Sequence, residues 1–199
     1  MTTITAKMVS ELRARTGAGM MDCKKALEEA GGDFDRAVEL LRAKGAARAD
    51  KRADRQAAEG VIEAYVHFNG RVAVLVELNC ETDFVARNAE FRALAKDLAL
   101  QVASARPVAV RVEDVPAELV ATERRVFEAQ VAEEKKPDAV KAKIVEGRLR
   151  KFFEESVLLE QKFVKDDSKT VGDLVKAVAA KTGENVQVRR FSRFELGGS

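Results

Sequence analysis

Side chains that could carry covalent chemistry are few in this sequence and stand far apart. There is one histidine, His67, and two cysteines, Cys23 and Cys80, in different segments. No CxxC spacing or Cys/His cluster occurs, so no metal site is expected, and one cysteine pair cannot staple a fold. His67 falls near the tip of a predicted hairpin, where a surface or packing role is expected rather than catalysis. Gly17-Ala18-Gly19 follows a helix instead of a strand, so it does not read as a dinucleotide fingerprint. No nucleophile motif or Walker loop is present, and with 33 acidic residues pairs of carboxylates carry no signal. The stretch Thr82-Asp83-Phe84-Val85 offers chemistry of another kind. An acid and an aromatic sit side by side in a short turn between an apolar strand and an amphipathic helix. Such a residue is either a core aromatic of a strand-to-helix connection or a contact group held out on a rigid scaffold.

The elements around that turn follow from spacing. Residues 5–44 read as three short helices. Thr5 caps the first, where Met8, Val9 and Leu12 recur at helical spacing, and Gly17 or Gly19 supplies the positive φ that closes it. The second runs from about Met21 to Ala30 and ends at Gly31-Gly32. Asp33 caps the third, with Phe34, Ala37, Val38 and Leu41 inward, and Gly45 is expected to close it. Residues 46–58 hold Ala, Arg, Lys, Asp and Gln with no apolar stripe, which predicts a solvated helical linker. An RNA-binding arm is the sharper alternative, and Asp50, Asp54 and Glu59 interrupt its basic run.

Asn69-Gly70 separates two β-rich runs, Val61 to Phe68 and Arg71 to Asn79. The pair predicts a two-residue type I′ turn with Phe68 opposite Arg71 and Val61 opposite Leu78. Val61, Tyr65, Val72, Val74, Val76 and Leu78 then share one face. Ile62, Ala64, Val66, Phe68, Ala73 and Leu75 share the other. Both faces are apolar, so both need a cover. Asn88 caps a helix with Phe91, Leu94, Ala95, Leu98, Val102 and Ala103 on one side, which covers one face. Pro116 and Pro137 open two charged helices that pair as an antiparallel hairpin at about 117–153. Val157-Leu158-Leu159 and Phe163-Val164 read as short extended anchors. Thr170 and Asp173 form a capping-box pattern for a helix closed by Gly183. Residues 185–196 make a third strand whose alternation slips between Val188 and Phe191. The expected fold is α+β, with a helical bundle at 1–45, a linker at 46–58, and at 59–199 a helical core around a three-stranded antiparallel sheet. One sheet face is left for the helical hairpin or for a second copy in a twofold dimer.

Composition narrows the function. The 199 residues carry 35 basic and 33 acidic side chains, a net of +2, which favours neither a nucleic-acid nor a membrane surface as partner. Residues 1–10 lack the apolar core of a signal peptide, and no run approaches ~20 apolar residues. A cytoplasmic protein is expected.

Two stretches carry a resemblance. Residues 12–27, LRARTGAGMMDCKKAL, and residues 77–87, ELNCETDFVAR, resemble the two signatures of the translation elongation factor Ts family. The tail around RRFSRFE, residues 189–195, looks like the family's last strand. The resemblance implies a guanine-nucleotide exchange factor for elongation factor Tu, with no cofactor and no covalent chemistry of its own. It implies that the first three helices are a ubiquitin-associated-like bundle docking on the partner's G domain through Leu12, Met20 and Met21. For Met21, simple core filling is the alternative. It also implies that Thr82, Asp83, Phe84 and Val85 displace the partner's Mg²⁺. GDP then leaves, and nucleotide rebinding expels the factor. With strands for one core subdomain, the sequence looks like the family's short form, in which two copies supply two halves. The alternative is a non-catalytic protein- or RNA-binding module that uses its helical bundle. An enzyme acting through His67 or Cys80 ranks behind both.

Overall fold

Helix ends are set where the sequence places its caps. In a computed structural model, which describes residues 3–198, α1 (Ala6–Thr16) begins at Thr5. The Thr5 hydroxyl accepts a hydrogen bond from Met8 N at 3.3 Å. Gly17, at φ +70°, closes the helix in the left-handed conformation open to glycine. After α2 (Met20–Glu29), the Asp33 carboxylate caps α3 (Phe34–Asp50), accepting from Asp35 N at 2.9 Å and Arg36 N at 3.1 Å. Leu12, Cys23, Ala26, Leu27 and Ala37 are fully buried and form the core of the three helices. A core this small leaves a domain marginal. Charged pairs add to it: Arg48 on α3 donates twice to the Asp22 carboxylate on α2, at 2.7 and 2.9 Å. That bonded guanidinium holds the Asp22 carboxyl below the usual carboxylate range. At this exposure the pair is worth about 1 kcal/mol at most.

Gly45 does not close α3, which runs on to Asp50. A Cβ at Gly45 would stand 3.0 Å from the Ala180 Cβ, so the glycine admits a neighbouring helix and does not break its own. Beyond α3 the expected helical linker gives way to turns at 51–54.

β1 (Glu59–Val66), β2 (Val72–Cys80) and β5 (Gln187–Glu195) form an antiparallel sheet in the order β1-β2-β5. His67 N donates to Val72 O at 2.8 Å, so the expected register holds. The connection is longer than expected, because Phe68 to Arg71 all lie outside the strands. Arg71 N donates to Asn69 Oδ1 at 3.0 Å, the N–H that a two-residue turn would have bonded to Phe68. Gly70 takes φ +68°. Asn-Gly makes the turn, by an Asx bond and a left-handed glycine.

Asn88 Oδ1 accepts from Glu90 N at 2.8 Å and starts α5 (Ala89–Ala105). α6 (Ala117–Ala132) and α7 (Asp138–Ser156) form the predicted hairpin. Val131, Val145 and Leu149 are buried between them, with Val120, Phe127 and Ile144 alongside. A second sheet pairs β3 (Lys162–Phe163), at the extended anchor expected around Phe163-Val164, with β4 (Asp166–Thr170), which has no counterpart in the expected elements. Buried amides hold it in place. Gln101 bonds Lys162 O at 3.1 Å, Val164 N at 2.9 Å and the Gln161 side chain at 3.1 Å. α8 (Val171–Thr182) starts at the predicted capping box, with Thr170 N donating to Asp173 Oδ2 and Asp173 N to Thr170 Oγ1, at 3.0 and 3.1 Å.

The chain divides into two compact units. One comprises residues up to Val61 with Asn79–Arg92 and Val175–Gln187; the other comprises Ile62–Leu78, Ala93–Leu174 and residues from Val188 on. In the second unit Val74 and Val76 on one sheet face are buried, as are Leu94, Ala95, Leu98, Ala99 and Val102 of α5. The opposite sheet face is bare. Ile62, Val66, Leu75 and Phe194 are exposed, and so is Phe68 at the turn, 92% open to solvent. Along β5 the alternation does slip, with Arg189 and Arg190 both exposed.

Candidate functional site

The 82–85 turn is a single turn of helix, α4 (Asp83–Ala86). Thr82 is its N-cap, the Oγ1 accepting from Val85 N at 3.4 Å, and Asp83 in the first turn favours the helix dipole. Asp83 also pairs with Arg87 one turn on, at 2.9 Å. Ala86 is buried and pins the turn from below, while Phe84 stands out on it at 81% exposure. The Phe84 ring is therefore left open to water, outside the core. Of the two readings open for Phe84, the core one is excluded.

Four residues absent from the expected site brace the turn. The Glu184 carboxylate accepts from Glu81 N and Thr82 N at 3.0 Å each, and from the Thr82 hydroxyl at 2.6 Å. Glu81 answers by accepting from Asn185 N at 2.6 Å. The Asn185 amide donates to Ala53 O and Arg55 O, at 3.0 and 2.7 Å, so three chain segments meet behind α4. Cys80 Sγ donates to Thr82 O at 3.1 Å. Burial, with the nearby Glu184 charge adding to it, pushes the Cys80 thiol up to about 11.

Cys80 is therefore expected to resist alkylation in the folded protein near pH ~8 and to react freely once the chain is unfolded in urea. Rapid labelling of native protein would contradict this. The sign for stability follows. The unfolded thiol gives up its proton near 9.0 and the folded one near 11, so this group's contribution is intact below about 9 and is lost as pH climbs through 11.

Met20 and Met21, in the first turn of α2, are 48% and 63% exposed. Core filling is thus excluded for Met21. Leu12 departs from expectation. It is fully buried in the bundle core beside Cys23 and Leu27, so it has no surface to offer a partner and acts as packing beneath the helices. α4, Met20 and Met21 belong to the same compact unit. Within it, Lys181 of α8 bonds Glu90 at 3.0 Å while its side chain packs against Gly17 of the bundle. Lys176 pairs with Asp50 at the end of α3, at 2.9 Å. Among the described residues no group of three or more His, Cys, Asp or Glu gathers where an ion could be held.

An aromatic and two methionines on one unit are each exposed at the start of a helix. Comparison with known proteins supplies the family. The profile of the family Elongation factor TS matches residues 47–198. Elongation factor Ts of Carboxydothermus hydrogenoformans is 59% identical over 194 residues, covering 98% of this chain and 89% of its own. That of Desulforamulus reducens is 56% identical over 197 residues, covering 99% and 91%. That of Thermotoga maritima is 56% identical over 194 residues, covering 98% and 96%. The chain belongs to the elongation factor Ts family.

Proposed function

We propose that this chain is a guanine-nucleotide exchange factor for elongation factor Tu, acting in the cytoplasm during translation elongation without covalent chemistry. The observation that carries the reading is Phe84, exposed on a turn that the fold fixes from behind. Docking of the 1–45 bundle, ubiquitin-associated-like in this reading, brings Met20 and Met21 onto the partner's G domain. Methionine side chains suit such a surface because they are flexible and polarizable. Leu12 enters only as support for that helical pair. With the bundle docked, the Thr82–Val85 turn inserts beside the nucleotide site. Phe84 wedges between side chains of the partner and shifts the elements that hold Mg²⁺. The cation neutralises the diphosphate and ties it to protein oxygens, so displacing it loosens GDP. The coupling is reciprocal: nucleotide rebinding loosens the factor and expels it. Residues 46–58 link the bundle to the 59–199 core in this scheme, of which residues 1, 2 and 199 lie outside the described residues.

The bare sheet face supports a second part of the proposal, a homodimer formed sheet against sheet. Among the described residues no helix is long and apolar enough to cross a membrane, and no nucleic-acid partner is invoked.

The test is release of a fluorescent GDP analogue from elongation factor Tu with and without the full chain at matched Mg²⁺. Acceleration at substoichiometric amounts supports exchange. Release at the intrinsic rate would reject it.

A further inference from the structure

We infer that Glu184 is a positioning residue for exchange, its carboxylate setting the pose in which α4 presents Phe84; the inference rests on the exchange reading above. A single helical turn lies far below the length at which a helix persists alone, so something outside α4 must hold it. Glu184 does so at both oxygens. Oε2 takes the N–H groups of Glu81 and Thr82, fixing the backbone that enters the turn. Oε1 takes the Thr82 hydroxyl proton. A hydroxyl has one proton to give. With that proton spent on Glu184, the Thr82 oxygen faces Val85 N with a lone pair and accepts from it. The relay runs Glu184, Thr82 hydroxyl, Val85 N–H, and ends one residue beyond Phe84. Charge on the terminal acceptor strengthens each donor bond it receives. The return bond from Asn185 N to Glu81, and the Asn185 amide bonds to Ala53 O and Arg55 O, keep the 184–185 segment from drifting away with the turn. Arg55, also 3.5 Å from the Glu81 carboxylate, balances one of the two negative charges. Glu184 touches neither the partner nor the nucleotide in this account and acts through the turn alone.

The test measures GDP-analogue release from elongation factor Tu with the full chain, Glu184→Ala, Glu184→Gln, Phe84→Ala and the Phe84→Ala/Glu184→Ala double variant. Glu184→Ala is expected to slow stimulated release about tenfold, the scale of one or two charge-assisted hydrogen bonds. Glu184→Gln keeps one oxygen for the two backbone N–H groups but replaces the hydroxyl's acceptor with a donor. Its rate should fall between wild type and Glu184→Ala, and its fold, read by circular dichroism melting, should remain intact should the alanine variant fail to fold. The deciding readout is the cycle. A residue that acts by posing Phe84 has little left to lose once the ring is gone, so the double variant should match Phe84→Ala. A merely structural role would multiply the two losses. Multiplied losses, or Glu184→Gln and Glu184→Ala as fast as wild type beside a slow Phe84→Ala, would overturn the inference and leave the exchange reading standing. No stimulation by the wild-type chain would instead remove the exchange reading itself, and stimulation undiminished in Phe84→Ala would overturn the inference by moving exchange off the turn.

Discussion

Alanine at Phe84 is expected to slow stimulated GDP release from elongation factor Tu by roughly thirtyfold or more, while the melting temperature stays within a degree or two. The two halves of this result have separate physical causes. At 81% exposure the ring buries almost no area in its own fold, and a surface truncation of that kind changes stability by about 0.5 kcal/mol or less. An aromatic anchor that fills a pocket on a partner is worth about 2 kcal/mol or more on truncation, which is roughly thirtyfold in a rate or equilibrium. Met20 and Met21 remain in place on the same unit, so the variant should still dock. The loss should therefore fall on the maximal rate of release more than on the concentration of factor needed to reach half of it. Raising Mg²⁺ should slow wild-type stimulation, because the cation and the inserted turn oppose each other, and the variant should respond less. Undiminished release by a folded Phe84→Ala protein would move the exchange mechanism from the turn to the bundle.

Much of the scaffold behind this turn can be read from local chemistry, and the parts that cannot share a cause. Thr5, Asp33, Asn88 and the Thr170/Asp173 box cap the helices they precede, because a capping bond closes within three residues and leaves its mark in the sequence. The bare sheet face is legible for the same reason, as a period of two carried by Ile62, Val66 and Leu75. Glu184 is not legible. Its bonds to Glu81 and Thr82 span more than a hundred positions, and a lone glutamate after a helix-closing glycine resembles any solvated acid. β4 is hidden by composition: Asp166 to Thr170 contains no residue with strong β preference apart from Thr170. It is a strand because Gln101, from α5, bonds the Gln161 side chain, Lys162 O and Val164 N and so holds the neighbouring β3 segment in place. Gly45 and Leu12 mislead in the same way. A glycine costs a helix about 1 kcal/mol against alanine, a penalty that close packing against Ala180 outweighs. A leucine inside a signature says nothing by itself about which way it faces.

Aspartate at Leu75 is expected to convert the proposed dimer to a monomer of 21.8 kDa by sedimentation at micromolar concentration. Leu75 lies on the central strand β2, exposed between neighbours on both sides. The Arg190–Glu77 bond at 2.7 Å and the alternating exposure of β5 place Phe194 on the same side. Ile62, Val66 and Phe194 then surround Leu75 with apolar area, and the Arg190–Glu77 pair gives that area a polar margin. An apolar centre with a charged rim is how a stable interface is organised, usually at roughly 800 Å² per partner. A twofold axis through such a face brings each Leu75 near the equivalent surface of the second copy. An aspartate there would have to be buried without a cation to pair with, close to another like itself, which costs far more than the leucine contributed. In the isolated chain the same side chain remains half in water, so the monomer should fold, with a cost of about 1 kcal/mol for the poorer strand former. Dimerisation and exchange are then separable: the variant keeps α4, Glu184, Met20 and Met21 intact in a different unit. A wild-type chain already monomeric at micromolar concentration would end the dimer proposal. A Leu75→Asp protein that still sediments at twice 21.8 kDa would move the interface off this face.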